Sequence, residues 1–257
     1  MIKLFWAELK RSWIQLRRYA TETIAGVIAT TIVFYGLFLS AKYVAGPQVQ
    51  VSDRLDAIVV GYVLWSLAVF IIADIAGTLQ REAQTGTLEQ LFLSPFGATR
   101  VFLVRAIASL SIQLLLNLTI LLLIMALTGS RLNLSLNLLP PLATVILGAY
   151  GIALGMGSLA LLLKQVQQLL GIFQFFLLFV LTVPIESWAG SAKFLGFLLP
   201  MTPGAGLLRQ VMAQGQALDL TQLLIALVNG LAYFAIGLWL FRWSEQAAKR
   251  RGKLSGY

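Results

Sequence analysis

Residues Arg81 to Pro95 read REAQTGTLEQLFLSP. This is the longest polar interruption in the first two thirds of a very apolar chain, and its placement decides how the apolar segments around it are arranged. Thr87 and Gln90 have the T-x-x-Q spacing of a capping box, in which two side chains satisfy free amide groups at a helix start. Gly86 breaks the chain just before this point, and Pro95 cannot continue a helix beyond it. Leu88, Leu91 and Phe92 are spaced to share one face. The stretch therefore predicts a short, capped helix with an apolar knob, hung between two apolar segments. Two readings fit such a helix: it docks onto another protein, or it lies on lipid.

Composition sets the context. Hydrophobic residues make up 59% of the 257 and charged residues only 11%, against about a quarter charged in soluble domains. That balance predicts a multi-span, all-α membrane protein. The chain has no cysteine and no histidine, which removes disulfides, thiol nucleophiles, imidazole bases and the commonest metal ligands. Neither a catalytic centre nor a metal site is expected. No G-x-x-x-x-G-K-[ST] occurs, so no phosphate-cradling loop and no bound nucleotide are expected on this chain. The formal charge is +9. In a membrane protein such an excess belongs to cytoplasmic loops rather than to nucleic acid. No Pro/Gly/Ser linker divides the sequence, so residues 1–257 read as one membrane domain.

Outward from the opening stretch, six apolar segments are long enough to be read as spans: Thr23 to Ala41, Ala57 to Leu79, Val101 to Thr128, Leu138 to Leu163, Leu169 to Ile185 and Leu220 to Phe241. The opening stretch lies between the second and the third. Before the first span, residues 1–20 place Ile2, Phe5, Trp6, Leu9, Trp13, Leu16 and Ala20 within one helical arc, with Lys3, Lys10, Arg11, Arg17 and Arg18 outside it. This predicts an amphipathic helix lying in the membrane interface among lipids. Residues 190–218 are apolar but interrupted by Gly196, Pro200, Pro203, Gly204, Gly206 and Gly215. A re-entrant pair of short helices, its exposed backbone covered by protein, is expected there.

Polar residues within the spans are few. Asp74 lies one to two turns before Arg81, where it is placed to pair with Arg81 or Arg105; the Asp74–Arg105 pair is the expected intramembrane ion pair. Ser109, Gln113 and Asn117 recur every fourth residue and form a stripe, read either as interhelical hydrogen bonding or as the lining of a translocation path. Gly148, Gly151 and Gly155 give the fourth span a small-residue face, and Gly151 to Gly155 is a GxxxG of the kind used in close helix contacts, a dimer face among them.

Orientation follows from the basic residues. With the N-terminus inside and six crossings, 14 of the 19 Lys and Arg fall on the inner side, and Lys42, Arg54, Arg131, Lys193 and Arg209 remain outside. This is the asymmetry of the positive-inside rule. It places both termini and the Arg81 to Pro95 stretch in the cytoplasm and the broken 190–218 segment outside. A cytoplasmic position favours a docking helix over one lying on lipid.

The residues Arg81-Glu82, Gly86-Thr87-Leu88-Glu89 and Ser94-Pro95 resemble the signature loop of type-2 ABC exporter permeases. Pro200-Met201-Thr202 with Arg209 is similar to that family's Pro-x-Thr...Arg pattern, with Pro203 and two glycines departing from it. The resemblance implies that residues 81–95 form a cytoplasmic coupling helix. Leu88, Leu91 and Phe92 would be its inserted face and Glu82 and Glu89 its polar rim, with Arg81, Gly86, Thr87 and Pro95 completing the loop. It implies a second permease subunit, identical or not, and two copies of an ABC ATPase that carries the ATP and magnesium. It also implies residence in a bacterial plasma (inner) membrane and export of a lipid, glycan, drug, peptide or ion. The competing reading is an ion-coupled secondary transporter that uses Asp74.

Overall fold

The computed structural model describes residues 2–45, 52–85, 98–163, 166–185 and 196–250. Its described residues form helices and turns. In order these are α1 (Ile2–Arg18), α2 (Ala20–Ala45), α3 (Ser52–Thr85), α4 (Ala98–Thr128), a 3-10 turn (Leu136–Leu138), α5 (Leu139–Leu163), α6 (Gln167–Thr182), α7 (Thr202–Met212) and α8 (Leu220–Arg250). Five of them, α2, α3, α4, α5 and α8, are long and apolar enough to cross a membrane. The expected fifth span appears as α6, a helix of 16 residues. At about 1.5 Å per residue it is some 24 Å long, short of the ~30 Å hydrocarbon layer. It stops because Pro184 follows Val183, and a residue before proline is pushed to extended backbone, as Val183 is at φ −78° and ψ 128°.

Helix α3 is the hub. It packs against α4, α5, α6 and α7, and most of its apolar stretch is buried, whereas α2, α4 and α8 expose most of theirs. One stretch of α3 does much of the joining. Gly61 lets it meet the Leu181 carbonyl at the end of α6 so closely that any Cβ would overlap it. The Tyr62 hydroxyl donates to the Thr30 carbonyl on α2 at 2.8 Å, and the Trp65 indole donates to the Gln174 carbonyl on α6 at 2.8 Å. Ser66 donates to Asn117 Oδ1 on α4 at 2.6 Å, and Asn117 donates on to the Val63 carbonyl at 3.1 Å. Away from water such polar contacts join helices that apolar packing alone orients weakly.

Helices α5 and α8 approach backbone to backbone. A Cβ on Gly237 would overlap the Gly151 carbonyl, one on Gly151 would overlap Tyr233, and one on Gly230 would come within 2.6 Å of the Thr144 carbonyl. The Gly151 face is therefore occupied inside the chain, and its reading as a dimer face is corrected: small residues here let two helices of one subunit meet.

The second half of the broken segment is α7, an 11-residue helix and hence too short to cross. It is entered through Met201, whose φ of 64° is unusual for a residue with a side chain. The carbonyls before it are covered by α8. Asn229 donates to the Phe197 carbonyl at 2.8 Å and the Leu199 carbonyl at 3.2 Å, and accepts from the Met201 amide at 3.3 Å. Tyr233 takes the Leu198 carbonyl at 2.7 Å. Irregular backbone at membrane depth thus has its partners in protein. Residues 190–195, the first part of the expected pair, lie outside the described residues.

Candidate functional site

The opening stretch begins as the last turn of α3, which runs through Arg81 and Glu82 to Thr85. Gly86, Thr87, Leu88, Glu89, Leu91, Phe92 and Pro95 lie outside the described residues. The base from which that stretch leaves is an ionic cluster. Arg105 on α4 donates to Glu82 Oε1 at 2.7 Å, and its Nε stands 3.8 Å from Glu8 Oε2 on α1. Glu8 also holds Arg11 at 3.2 Å. The side chains of Arg105, Glu82 and Glu8 are 20%, 14% and 13% exposed, so the cluster is largely shielded from water. Three helices thus meet at one guanidinium, whose forked donors can engage two carboxylates at once.

The expected Asp74–Arg105 pair does not form; Arg105 is engaged by Glu82 and Glu8 instead. The reason is axial distance. Glu82 lies eight residues beyond Asp74, about 12 Å along the helix, and Arg105 sits at the level of Glu82. Arg81 hydrogen-bonds Thr78 Oγ1 at 3.3 Å.

Helix α1 owes its place to the same contact. Phe5, Glu8, Leu9, Ser12 and Leu16 are its less exposed positions, and the helix packs on α4. Trp6 and Trp13 turn outward, with Arg17 lying over the Trp13 ring at 5.5 Å. The apolar arc is therefore divided between protein and surroundings. Glu8 was not singled out from the sequence, although it is the one acidic residue in a basic helix.

Above the cluster, α1, α2, α3 and α4 enclose a cleft of about 620 Å³. Asp74, Arg81, Ser109 and Gln113 line it, joined by Gln15 and Glu22. The polar stripe on α4 divides here. Ser109 and Gln113 face the cleft, whereas Asn117 turns into the α3 contact, where it makes the interhelical bonds described above. Steps of four residues advance about 40° around a helix, so Asn117 lies about 80° from Ser109. The stripe leaves the cleft by rotation.

Arg209 is the other polar residue that burial transforms. It is 2% exposed and donates to the Leu181 carbonyl at the end of α6. A cation there satisfies a free carbonyl and complements the helix dipole. The spacing of Pro200, Thr202 and Arg209 pointed to the segment; nothing in the sequence indicated that the guanidinium is enclosed.

A protein-family model described as ABC-2 type transporter matches residues 3–213. The match runs from α1 to just past the end of α7, covering the ionic cluster, the cleft and the opening stretch. No curated protein matches the chain.

Proposed function

The chain belongs to the ABC-2 type transporter family as a permease subunit and is itself a transport rather than a catalytic subunit; from that premise we propose that it exports its substrate, driven by a separate ATPase that docks on residues 81–95. In this reading two ATPase copies carry ATP and magnesium, and a second permease, identical or not, completes the path. In this reading α6 makes the sixth crossing, so both termini face the cytoplasm of a bacterial inner membrane, the orientation that puts 14 of the 19 basic residues on that side. Ser109 and Gln113 belong to the path, and Asn117 contributes to the helix contact beside it.

The observation that carries this reading is the Glu8–Arg105–Glu82 cluster. It ties the base of the opening stretch to α4 and to the N-terminal helix. A push on the loop would move three elements together instead of flexing a free linker. The test is co-purification. Leu91→Asp combined with Phe92→Asp should leave membrane insertion intact and release the partner ABC ATPase. Retention of the ATPase by that variant at wild-type yield refutes docking through this face.

A further inference from the structure

The cleft between α1, α2, α3 and α4 is graded in polarity. At the α1 end stand Gln15 and Glu22; further along come Asp74 and Gln113; beyond them the walls are Phe70 and Leu116. On α2 and α4 the side chains change from polar to apolar in the same direction. A head-then-tail molecule meets this order in one leaflet of a bilayer, and an ion or a simple sugar has no use for the apolar part.

Two polar groups within it have no hydrogen-bond or ion-pair partner among the described residues. The Asp74 carboxylate makes no ion pair or hydrogen bond among the described residues. Gln113 Nε2 is buried and has no hydrogen-bond partner among the described residues. A buried donor is seldom left unmade. These two ask for complementary things: the carboxylate for a cation, the amide N–H for an acceptor oxygen. Glu22 adds a second carboxylate, so among the described lining residues the acidic groups outnumber the basic one, Arg81.

We propose that this cleft binds an amphipathic molecule whose polar end carries a protonated amine and an acceptor oxygen. The amine sits at Asp74, the oxygen accepts from Gln113, and the alkyl part lies along Phe70 and Leu116. As a substrate assignment this rests on the permease reading above, but the binding itself does not need the ATPase. The chemistry is shared by a phosphoethanolamine lipid head and by a soluble cationic amphiphile.

The chain has no cysteine, so a single Ser12→Cys at the cleft rim accepts one fluorophore. The labelled permease, alone in nanodiscs of phosphatidylglycerol, is titrated with dodecylamine, dodecyl phosphoethanolamine, dodecyl phosphate and ethanolamine. The two amine amphiphiles should bind, and the anionic amphiphile and tail-free ethanolamine should bind at least about tenfold more weakly. Asp74→Asn should weaken both amines by about tenfold, the scale of one charge-assisted contact, and Asp74→Glu should retain them. Gln113→Leu should weaken dodecyl phosphoethanolamine and spare dodecylamine. Dodecyl phosphoethanolamine should bind more tightly than dodecylamine, because only it offers Gln113 an acceptor oxygen, and that order assigns the site to a lipid head; equal or tighter binding of dodecylamine overturns the oxygen contact. Dodecyl phosphate or ethanolamine binding as tightly as dodecylamine overturns the proposal. So does wild-type affinity in Asp74→Asn, or, if that variant does not insert, unchanged phosphoethanolamine affinity in Gln113→Leu. These failures leave ATPase docking standing, because the two are read in separate experiments.

Discussion

Replacing Arg105 removes one cation from between two carboxylates. Its contacts are 2.7 Å to Glu82 and 3.8 Å to Glu8, and all three side chains are mostly shielded. Exposed pairs contribute about 0–1 kcal/mol, whereas stripping one partner from a buried pair costs about 3–5 kcal/mol. This cluster lies between those limits, so Arg105→Gln should lose about 2 kcal/mol. For a chain of this size that is about 4–8 °C in the thermal midpoint of the detergent-solubilised permease. Much of the loss comes from two carboxylates that no longer share a cation between them, although Glu8 keeps Arg11. Neutralising one of them in the double variant Arg105→Gln with Glu82→Gln should therefore recover stability, giving a coupling of at least about 1 kcal/mol in a double-mutant cycle. The readout that a merely stabilising contact would not move is transport-coupled ATP hydrolysis in the assembled complex. It should fall in Arg105→Gln and recover in part in Arg105→Lys, which keeps the charge but loses the fork. Additivity of the single variants within about 0.5 kcal/mol, with coupled hydrolysis unchanged, would refute the reasoning.

Three further outcomes are expected. Asn229→Leu leaves the Phe197 and Leu199 carbonyls and the Met201 amide without their side-chain partner; at about 1 kcal/mol or more for each unmade bond, it should lower stability by about 3 kcal/mol in thermal unfolding, and Tyr233→Phe by about 1. Gly237→Ala forces α8 off the Gly151 backbone and should cost about 2–3 kcal/mol, seen as loss of the monodisperse peak on size exclusion. A Cβ on Gly171 meets nothing within 4 Å, so Gly171→Ala should be neutral or stabilise by up to about 1 kcal/mol in the same assays.

Much of the fold is legible in the apolar segments, because a helix that must satisfy its backbone in lipid declares itself by length and hydropathy. The ends of α2, α4 and α5 fall within four residues of the expected spans, whereas α3 runs on to Thr85, six residues past Leu79, and α8 to Arg250, nine past Phe241. The interruption at residues 190–218 is legible for the opposite reason: glycines and prolines prevent one continuous span. Less legible are the partners. Asn229 is a conspicuous polar residue in the last span, yet the pattern does not reveal that it serves the backbone of residues 197–201. Asp74 and Arg105 are near enough in sequence terms to suggest a pair; the axial offset between α3 and α4 decides against it.

By itself, the sequence determined the chain's place in the membrane: all-helical, amphipathic at its start, with a polar stretch between the second and third apolar segments and a broken segment before the last. Those properties follow from composition and period, which act along one helix at a time. The tertiary structure alone decided which polar residues meet. It joined Glu8, Arg105 and Glu82 across three helices, turned the Gly151 face inward against α8, and separated Asn117 from Ser109 and Gln113. The physical reason is that rotation and axial shift between packed helices are set by close-packed contacts such as Gly61 on Leu181 and Gly237 on Gly151. A shift of one turn there would change every polar partner while leaving the hydropathy of each segment as it is.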